Sequence, residues 1–491
     1  MWFDSFWKGV SLILYIANII LVMYACTSLF FQKESTSKTI SWMIVIIILP
    51  YIGLILYVLL GRNFRKEKMY NRKGAGDLII KEKVSREILE QIYRDGLPQE
   101  LQPFSKLIIQ NLRTNQSLLS IDSEAEIFFD GKSSLSAMLE AIKGATRHIH
   151  LQSYIIEDDQ VGGEFKNALI AKAQEGVEVR LMYDGFGSRK LNKRFIQELK
   201  DAGVEILNFS PFRWFFIPLF ANYRNHRKIL VVDGKTGFLG GVNIADRYYH
   251  GGVFPEWRDT HLRLTGQSVY SLQASFLLDR YFILNKNLKR RNRYYPELTI
   301  DSDNKEIEKR LYTQIISSGP DSDWSAIMQC YFTAITQAKK SIYIITPYFI
   351  PTEFILNAIK VTSLSGVEVN LMIPERSDTW LSHWGTMSYI TELLEAGVKI
   401  YLFQKGFNHS KVLSIDGEFC IIGSANMDTR SLEHHFEVTS ILYNRHCAEI
   451  IETQFHHDLK RCHLLSAKKW KKRPKYFRFF ESLARLLSPL L

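Results

Sequence analysis

The feature that most constrains the fold of this chain is a short motif that occurs twice. Each copy has the form H-x-K-x-x-x-x-D, and an asparagine follows each histidine after 17 residues. The members are His226, Lys228, Asp233 and Asn243 in the first copy, and His409, Lys411, Asp416 and Asn426 in the second. Two copies of one motif indicate a site that is built from both parts of the chain.

A longer internal repeat surrounds the two motifs. In each part a predicted strand and helix lead to Gly-Val-Glu-Val, at Gly176 and at Gly366, and then to the motif. Alternating strands and helices indicate layered α/β domains. We therefore expect two homologous α/β/α domains that form a pseudo-dimer, over residues 121–285 and 311–466, with residues 286–310 as a linker between them.

Two apolar stretches near the N-terminus, residues 10–31 and 39–60, lack charged side chains. Each exceeds the roughly 20 residues that a helix needs to cross a bilayer. A cleaved signal peptide is the alternative for the first, but its apolar run is too long and a second run follows at once. We expect a transmembrane hairpin over residues 1–61, a basic connector over 62–120, and, by the positive-inside rule, the large C-terminal part of the chain on the cytoplasmic side of the membrane.

The net charge of +11 raises the possibility of nucleic-acid binding. However, residues 62–73 carry six basic side chains and one acid, and residues 467–491 carry eight and one, so the remaining chain is about neutral. A nearly neutral chain outside these two stretches lacks the broad basic surface that binding to a nucleic-acid backbone needs, so we expect no nucleic-acid partner. Both basic stretches adjoin apolar or aromatic segments, which favours a membrane with an anionic lipid surface.

Two further segments have two interpretations each. The basic tail, residues 467–491, resembles an amphipathic membrane-surface helix, and a helix that packs on the catalytic domain is the alternative. The aromatic insertion of residues 209–220 is either part of the core or an interfacial loop.

The cysteine and histidine patterns do not indicate a metal site. The five cysteines are scattered and include no C-x-x-C pair, so neither a disulfide framework nor a zinc site is expected. His434 and His435 are adjacent, and adjacent side chains point apart on a strand, which disfavours shared metal ligation.

The doubled motif suits a phosphodiester. Aliphatic residues after His226 predict a strand, so His226 and Lys228 share one face, and His409 and Lys411 do likewise. Asp233 and Asp416 are counted with the catalytic set as members of the motif, but we expect them at the strand ends, where they hold the turns. One histidine can attack phosphorus while the other protonates the departing alkoxide. The lysines, helped by Asn243 and Asn426, offset charge on the phosphate oxygens, so no metal or cofactor is required.

A catalytic histidine needs the correct tautomer, which a carboxylate bonded to its other ring nitrogen can fix. Asp259 and Glu437 lie on matching predicted strands after the two motifs. We therefore expect these two acids to orient the histidines.

Further segments carry a family resemblance. They are Tyr183-Asp184-Gly185, Trp257-Arg258-Asp259, Thr346-Pro347-Tyr348 and Gly423-Ser424-Ala425-Asn426. With the doubled motif and the hairpin, the chain resembles the phospholipase D superfamily and, within it, the bacterial cardiolipin synthases. The resemblance implies two α/β domains that share one active site, and a reaction in which two phosphatidylglycerols give cardiolipin and glycerol through a phosphatidyl-histidine.

The resemblance further implies that His226 is the nucleophile and His409 the acid and base, whereas the residues themselves do not distinguish the two. It also shows a departure, because His435 stands where the family commonly has asparagine. A hydrolytic phospholipase D or another phosphatidyltransferase is the main alternative, and a nuclease or a non-catalytic membrane lipid-binding scaffold is a further one. Oligomeric state stays open.

Overall fold

The structure is a computed structural model that describes residues 2–31, 36–57, 76–209, 223–287, 291–297 and 311–486. The chain divides into two compact units. The first contains the N-terminal apolar region, and the second contains both motif copies.

The described residues of the first unit form helices α1 (Trp2–Phe31), α2 (Thr36–Ile48) and α3 (Pro50–Leu56). Within the described part of the chain, one helix is long and apolar enough to cross a membrane, over Gly9–Phe31, with a mean hydropathy of 2.1. This stretch coincides with the first predicted span.

The second predicted span, residues 39–60, is not one continuous helix. Helix α2 ends at Ile48 and α3 begins at Pro50, because proline has no amide hydrogen to continue the helical bonding. Ala25 and Leu29 of α1 pack with Ile46 and Tyr57, so the hairpin has a small apolar core of its own. Residues 58–60, like the basic run 62–73, lie outside the described residues.

The second unit begins with two helices and then contains two repeats of one arrangement. The preceding elements are α4 (Gly76–Asp95), a 3₁₀ turn (Gln99–Phe104) and α5 (Ser105–Asn115). The first repeat consists of β1 (Leu119–Asp130), α6 (Gly131–Lys143), β2 (His148–Ser153), α7 (Gln160–Gln174), β3 (Glu178–Asp184), α8 (Lys193–Asp201), β4 (Glu205–Phe209), β5 (Ile229–Val232), β6 (Thr236–Gly240), α9 (Asp246–His250), β7 (Trp257–Gly266) and α10 (Ser268–Leu284).

The second repeat follows the same plan with a few additions. It consists of β8 (Leu311–Ser318), α11 (Ala326–Gln337), β9 (Ser341–Ile345), β10 (Phe349–Ile350), α12 (Glu353–Leu364), β11 (Glu368–Pro374), α13 (Trp380–Met387), α14 (Ile390–Glu395), β12 (Lys399–Phe403), β13 (Phe407–Asn408), β14 (Val412–Ile415), β15 (Phe419–Gly423), β16 (Met427–Asp428), α15 (Thr429–Glu433), β17 (Glu437–Tyr443), α16 (Arg445–Leu459) and β18 (Cys462–Leu464). Helices α17 (Ala467–Lys471) and α18 (Lys475–Leu486) complete the described chain.

One sheet runs through both repeats. The first repeat contributes strands in the order β1-β7-β6-β5-β2-β3-β4, and the second contributes β8-β17-β15-β14-β9-β11-β12 with β18 at the edge. The two sets meet where β1 pairs antiparallel with β8. The same strand order in both sets confirms the predicted α/β fold of two homologous domains in a pseudo-dimer.

The motif strands lie inside this sheet. All four residues of β5, Ile229–Val232, are buried, and so are those of β14, Val412–Ile415. Strands covered on both faces are mostly apolar, which explains the aliphatic residues after each motif, with Ser414 as the polar exception in β14. The motif side chains are consequently attached to buried strands.

Two connecting regions contribute to the core. Leu107 and Leu112 of α5, in the stretch expected to be a connector, are buried in the core of the second repeat. In the expected linker, Tyr294 is buried, and its hydroxyl donates to Glu178 over 2.6 Å. Of the aromatic insertion, Phe209 ends β4 and is buried, and the rest lies outside the described residues.

The tail helix α18 packs on the second repeat and also exposes apolar side chains. The rings of Phe477 and Phe480 each lie 5.4 Å from that of Trp384 on α13. Tyr476 and Phe479 are 58% and 65% exposed on the same helix. Packing on the catalytic unit, one of the two interpretations, is therefore confirmed, and a second apolar face stays accessible.

Candidate active site

A cavity of about 660 Å³ is lined by residues from both repeats. The four groups expected to do the chemistry, His226, Lys228, His409 and Lys411, all line it. The fold thus brings together the two motifs that are 183 residues apart in the sequence.

Short strand pairings across the two repeats bring the histidines to the cavity. Asn225, just before the first histidine, forms a parallel bridge with Phe436 of the second repeat, and His226 donates its amide hydrogen to the Phe436 carbonyl over 2.9 Å. Reciprocally, β13 pairs with the start of β7, and the His409 amide donates to the Arg258 carbonyl over 2.6 Å. The backbone on the N-terminal side of each motif therefore pairs with the opposite repeat, through an isolated bridge at Asn225 and through β13 at Asn408.

This exchange pairs each histidine with the acid of the other repeat. His409 Nδ1 lies 2.7 Å from Asp259 Oδ2, a hydrogen-bond distance. His226 Nδ1 lies 3.3 Å from Glu437 Oε1. A proton on Nδ1 that faces a carboxylate leaves the lone pair of the other ring nitrogen, Nε2, for chemistry.

The two carboxylates are held differently. The Ser424 hydroxyl donates to Glu437 Oε2. Gly241 takes the equivalent place in the first repeat, and a Cβ added there would overlap the Asp259 carboxylate. Position 241 is therefore glycine because a side chain there would overlap Asp259, whereas the equivalent Ser424 has space for a side chain that bonds to Glu437.

The two acids also differ in their ionisation. Burial raises the pKa of Asp259, but nearby Lys411 and the His409 hydrogen bond lower it more, so its pKa lies below the ordinary value. Burial raises the pKa of Glu437, and Lys228 opposes this only in part. Asp259 is consequently the more firmly ionised partner.

Both histidines are poised as neutral bases. Burial and the Lys411 ammonium lower the pKa of His409 to about 4, against the opposing charge of Asp259. Burial and the Lys228 ammonium hold the pKa of His226 well below its usual value. A neutral imidazole is the form that can attack phosphorus or accept a proton.

The two lysines are anchored at the backbone of their own motif. Lys228 Nζ donates to the His226 carbonyl over 2.6 Å, and Lys411 Nζ donates to the His409 carbonyl. Burial lowers the pKa of Lys411 to about 7, and it also lowers that of Lys228. A phosphate anion in the cavity favours the ammonium form of both.

The motif aspartates, counted with the catalytic set in the sequence, lie at the strand ends and away from the residues that line the cavity. Asp233 accepts hydrogen bonds from the amides of Thr146, Arg147 and His148, and Asp416 accepts from those of residues 339–341. Both have φ of 57°, a turn conformation that aspartate tolerates. Their position agrees with the turn-holding role predicted from strand parity.

The two asparagines expected at the phosphate both line the cavity. Asn243 Nδ2 donates to the Tyr248 hydroxyl over 2.6 Å, and its Oδ1 accepts from the Ile155 amide. Asn426 Oδ1 is buried and has no hydrogen-bond partner among the described residues.

Three aromatic rings that line the cavity were given no role in the site by the sequence. The ring of Tyr154 lies 4.0 Å from that of His226, the ring of His435 lies at the same distance from His226, and that of Trp257 lies 5.3 Å from that of His409. Trp257 stands in a segment that carried the family resemblance, but nothing in the spacing of Tyr154 predicts its contact.

A buried ion pair fixes the first motif. Arg227, between the histidine and the lysine, pairs with Asp279 of α10, and both side chains are almost fully buried. Arg227 also donates to the Glu437 carbonyl over 3.1 Å and to the Ser318 carbonyl over 3.0 Å, in the second repeat. Arg227 therefore connects the first motif to the second repeat through these hydrogen bonds.

Family comparisons agree with this geometry. A family described as "Cardiolipin synthase, PLD-like domain" matches residues 138–251 and 331–459, which contain one motif each. A second family, "Phospholipase_D-nuclease N-terminal", matches residues 16–62.

The chain is similar over nearly its whole length to named relatives. It is 39% identical to a cardiolipin synthase of Halalkalibacterium halodurans, over 99% of this chain and 96% of that protein. It is likewise 39% identical to a cardiolipin synthase of Alkalihalophilus pseudofirmus, over 96% of this chain and 92% of that protein.

A solved structure shares the fold. The phosphatidylserine synthase of Haemophilus influenzae superimposes with a TM-score of 0.59 at 14% identity, and the match covers 79% of this chain and all of that one. At this identity the similarity concerns the fold alone.

Proposed function

The chain belongs to the cardiolipin synthases, the phosphatidyltransferases of the phospholipase D superfamily. We propose that it catalyses the following reaction. A phosphatidyl group passes from one phosphatidylglycerol to the hydroxyl of a second, giving cardiolipin and glycerol. The observation that carries the proposal is that both His–Lys pairs line one cavity, with a carboxylate of the opposite repeat behind each histidine.

In the first half-reaction, His226 Nε2 attacks phosphorus and forms a phosphorus–nitrogen bond. The bond from phosphorus to the glycerol oxygen breaks, and His409 gives its Nε2 proton to the departing alkoxide. The substrate phosphate is an anion and raises the pKa of His409 from its low value, so that this histidine carries a proton when it is needed.

In the second half-reaction, His409 Nε2 takes the proton of the acceptor hydroxyl. The acceptor oxygen attacks phosphorus, the phosphorus–nitrogen bond breaks, and His226 returns to its neutral form. Asp259 stabilises the imidazolium that forms on His409 in this step.

The assignment of the two histidine roles is supported by their carboxylates. Asp259 has a lowered pKa and lies 2.7 Å from His409, which favours an imidazolium on that residue. Glu437 has a raised pKa and lies farther from His226, which favours a neutral nucleophile. Lys228 and Lys411 offset the charge on the non-bridging oxygens, with Asn243 and Asn426 as further phosphate contacts.

The proposed setting is a membrane with the substrate lipids in its plane. The apolar helix over Gly9–Phe31 and the match of residues 16–62 to an N-terminal family support membrane attachment. We propose further that the two apolar stretches form a two-span hairpin and that the catalytic domains lie on the cytoplasmic side. The basic tail then contacts anionic lipid. Cysteine labelling from either side of sealed vesicles tests the orientation, and labelling of the catalytic unit from outside refutes it.

We also propose the domain division given by the sequence. It comprises the hairpin of residues 1–61, a connector to residue 120, domains over 121–285 and 311–466 joined by residues 286–310, and the tail from 467. The matched family regions fall inside the two domains.

The reaction is tested with the purified full chain and phosphatidylglycerol as sole lipid. We expect equal amounts of cardiolipin and free glycerol, and no turnover after His226→Ala or His409→Ala. Phosphatidic acid as the only product refutes the transfer and indicates hydrolysis.

A further inference from the structure

His435 is a buried histidine that the proposed reaction does not use. It lines the cavity at 4% exposure, and its ring centre lies 4.0 Å from that of His226. Neither of its ring nitrogens has a hydrogen-bond partner among the described residues. A buried polar group without a partner is costly, so a ligand that bonds to it is favoured.

A second unpartnered atom lies beside this ring. Glu437 Oε1 is buried and accepts no hydrogen bond from the described residues. It lies 3.8 Å from His435 Nδ1 and 3.3 Å from His226 Nδ1. One ligand atom from each of the three residues falls within a set whose members are all within 4.8 Å of one another.

Two imidazole nitrogens and one carboxylate oxygen form a common donor set for Zn²⁺ with an open fourth position. Donors at about 2.0–2.1 Å from a tetrahedral Zn²⁺ lie roughly 3.4 Å apart. The observed separations of 3.3 and 3.8 Å bracket that value. The third separation, between the two imidazole nitrogens, is within 4.8 Å. Rotation of the His435 and His226 side chains that closes this gap toward roughly 3.4 Å places three donors around one ion.

We propose that His226, His435 and Glu437 form a binding site for a divalent transition metal of the Zn²⁺ class, and that the bound ion switches the enzyme off. The inhibitory part rests on the proposed role of His226 as nucleophile, whereas the binding site does not. Lys228 and Lys411 face the same cavity and repel a cation, so we expect weaker binding than at a four-ligand structural zinc site.

Inhibition follows from the tautomer of His226. In the active form Nδ1 carries the proton and Nε2 carries the lone pair that attacks phosphorus. When the ion bonds to the Nδ1 lone pair, the ring proton moves to Nε2, and the nitrogen that faces the substrate can no longer attack. No bond to phosphorus forms, and a chelator that removes the ion restores the active tautomer.

The site is tested with the detergent-solubilised full chain titrated with Zn²⁺ by calorimetry and with Co²⁺ by visible absorption. We expect one bound ion per chain in the wild type and the strong absorption bands of tetrahedral Co²⁺. His435→Asn and His435→Gln should each weaken binding at least about 100-fold, because even an outer-shell partner of a metal ligand contributes about 10–100-fold. His434→Asn, at the adjacent residue, is the matched control and should bind as the wild type does.

A measurement on the unaltered protein keeps the test independent of variant folding. Zn²⁺ should slow deuterium exchange at the ring C2 of His226 and His435, measured by mass spectrometry, and leave His434 unchanged. Unchanged exchange at His435, or equal Zn²⁺ affinity in His435→Asn and wild type, overturns the site.

The inhibitory part has its own readout. Zn²⁺ at saturation should abolish trapping of labelled phosphatidyl on the wild type, and a chelator should restore it. If Zn²⁺ binds at His435 but trapping is undiminished, inhibition by the ion is refuted and the binding site itself is supported. If apo enzyme never carries label on His226, the proposed nucleophile is refuted instead.

Discussion

Asp259 of the first repeat and His409 of the second are joined by a contact of 2.7 Å between Oδ2 and Nδ1, although 150 residues separate them. The reciprocal pair, Glu437 and His226, is 3.3 Å apart. His409 therefore depends on the opposite repeat for its tautomer, and the carboxylate beside His226 also comes from the opposite repeat.

Replacement of Asp259 by asparagine should lower kcat strongly with little change in KM. The amide cannot stabilise an imidazolium on His409, and loss of an equivalent aspartate beside a catalytic histidine costs about 10⁴-fold. Steady-state kinetics with phosphatidylglycerol measure the effect. A KM change with kcat preserved would contradict the orienting role.

A substrate with a better leaving group separates the two histidine roles. Phosphatidyl-p-nitrophenol releases a phenolate that needs no proton, so His409→Ala should regain release of nitrophenol and accumulate label on His226. His226→Ala should stay inactive with the same substrate. Rescue of His226→Ala instead would reverse the assignment.

Gly241→Ala should abolish activity without unfolding the protein. An added Cβ overlaps the Asp259 carboxylate and must displace it from His409. We expect a fall in kcat comparable to that of Asp259→Asn, measured together with thermal unfolding. Gly163→Ala in α7, where the added Cβ meets open space, is the control and should be as active as the wild type.

Asp279→Asn should destabilise the catalytic unit by about 3–5 kcal/mol, because it leaves the buried Arg227 guanidinium without its anion. Denaturant unfolding of the purified protein measures the loss. Glu126→Gln, which breaks the exposed pair with Arg263, should cost about 0.2–1 kcal/mol. Equal effects of the two replacements would argue against a structural role for the buried pair.

The pH profile of kcat/KM should be bell-shaped. Its acid limb should lie below the ordinary imidazole pKa of 6.5, because the lowered pKa of His226 keeps that residue neutral as the pH falls. Its alkaline limb should lie near pH 7, where Lys411 loses its proton in the free enzyme. In kcat the alkaline limb should move upward, since bound phosphate favours the ammonium.

Lys411→Arg tests the origin of the alkaline limb. A guanidinium does not lose its proton in this range, so the limb should disappear from the residual activity. Lys200→Arg, at an exposed position, should leave the profile unchanged. An alkaline limb that persists in Lys411→Arg would assign it to another group.

Asp233→Asn and Asp416→Asn should affect stability more than chemistry. Each carboxylate caps three successive backbone amides at a turn, and its replacement should cost about 0.5–2 kcal/mol, as at helix caps. Backbone hydrogen bonds lower the pKa of Asp233 against the effect of burial, so its contribution to stability is lost as the pH falls below the ordinary aspartate value. The kcat of the folded fraction should stay within a few-fold of the wild type, and a drop like that of His226→Ala would contradict the structural role.

The repeated α/β fold, the four chemical groups and the place of the aspartates at strand ends could all be predicted from the sequence. These follow from local rules, because strand alternation and motif spacing act over a few residues. The break between helices α2 and α3 at Pro50 also has a local cause, although the uninterrupted apolar run led us to expect one continuous span.

Which carboxylate lies beside which histidine could not be predicted from the sequence and is seen in the folded chain. The pairing depends on backbone bridges between residues 225 and 436 and between 407–408 and 257–258, which no local pattern encodes. The position of His435 beside His226 and Glu437 also comes from the fold, because the sequence identified His435 only as a departure from the family pattern. Contacts between the two repeats join residues that are far apart in the sequence, so they depend on how the two whole domains pack against each other.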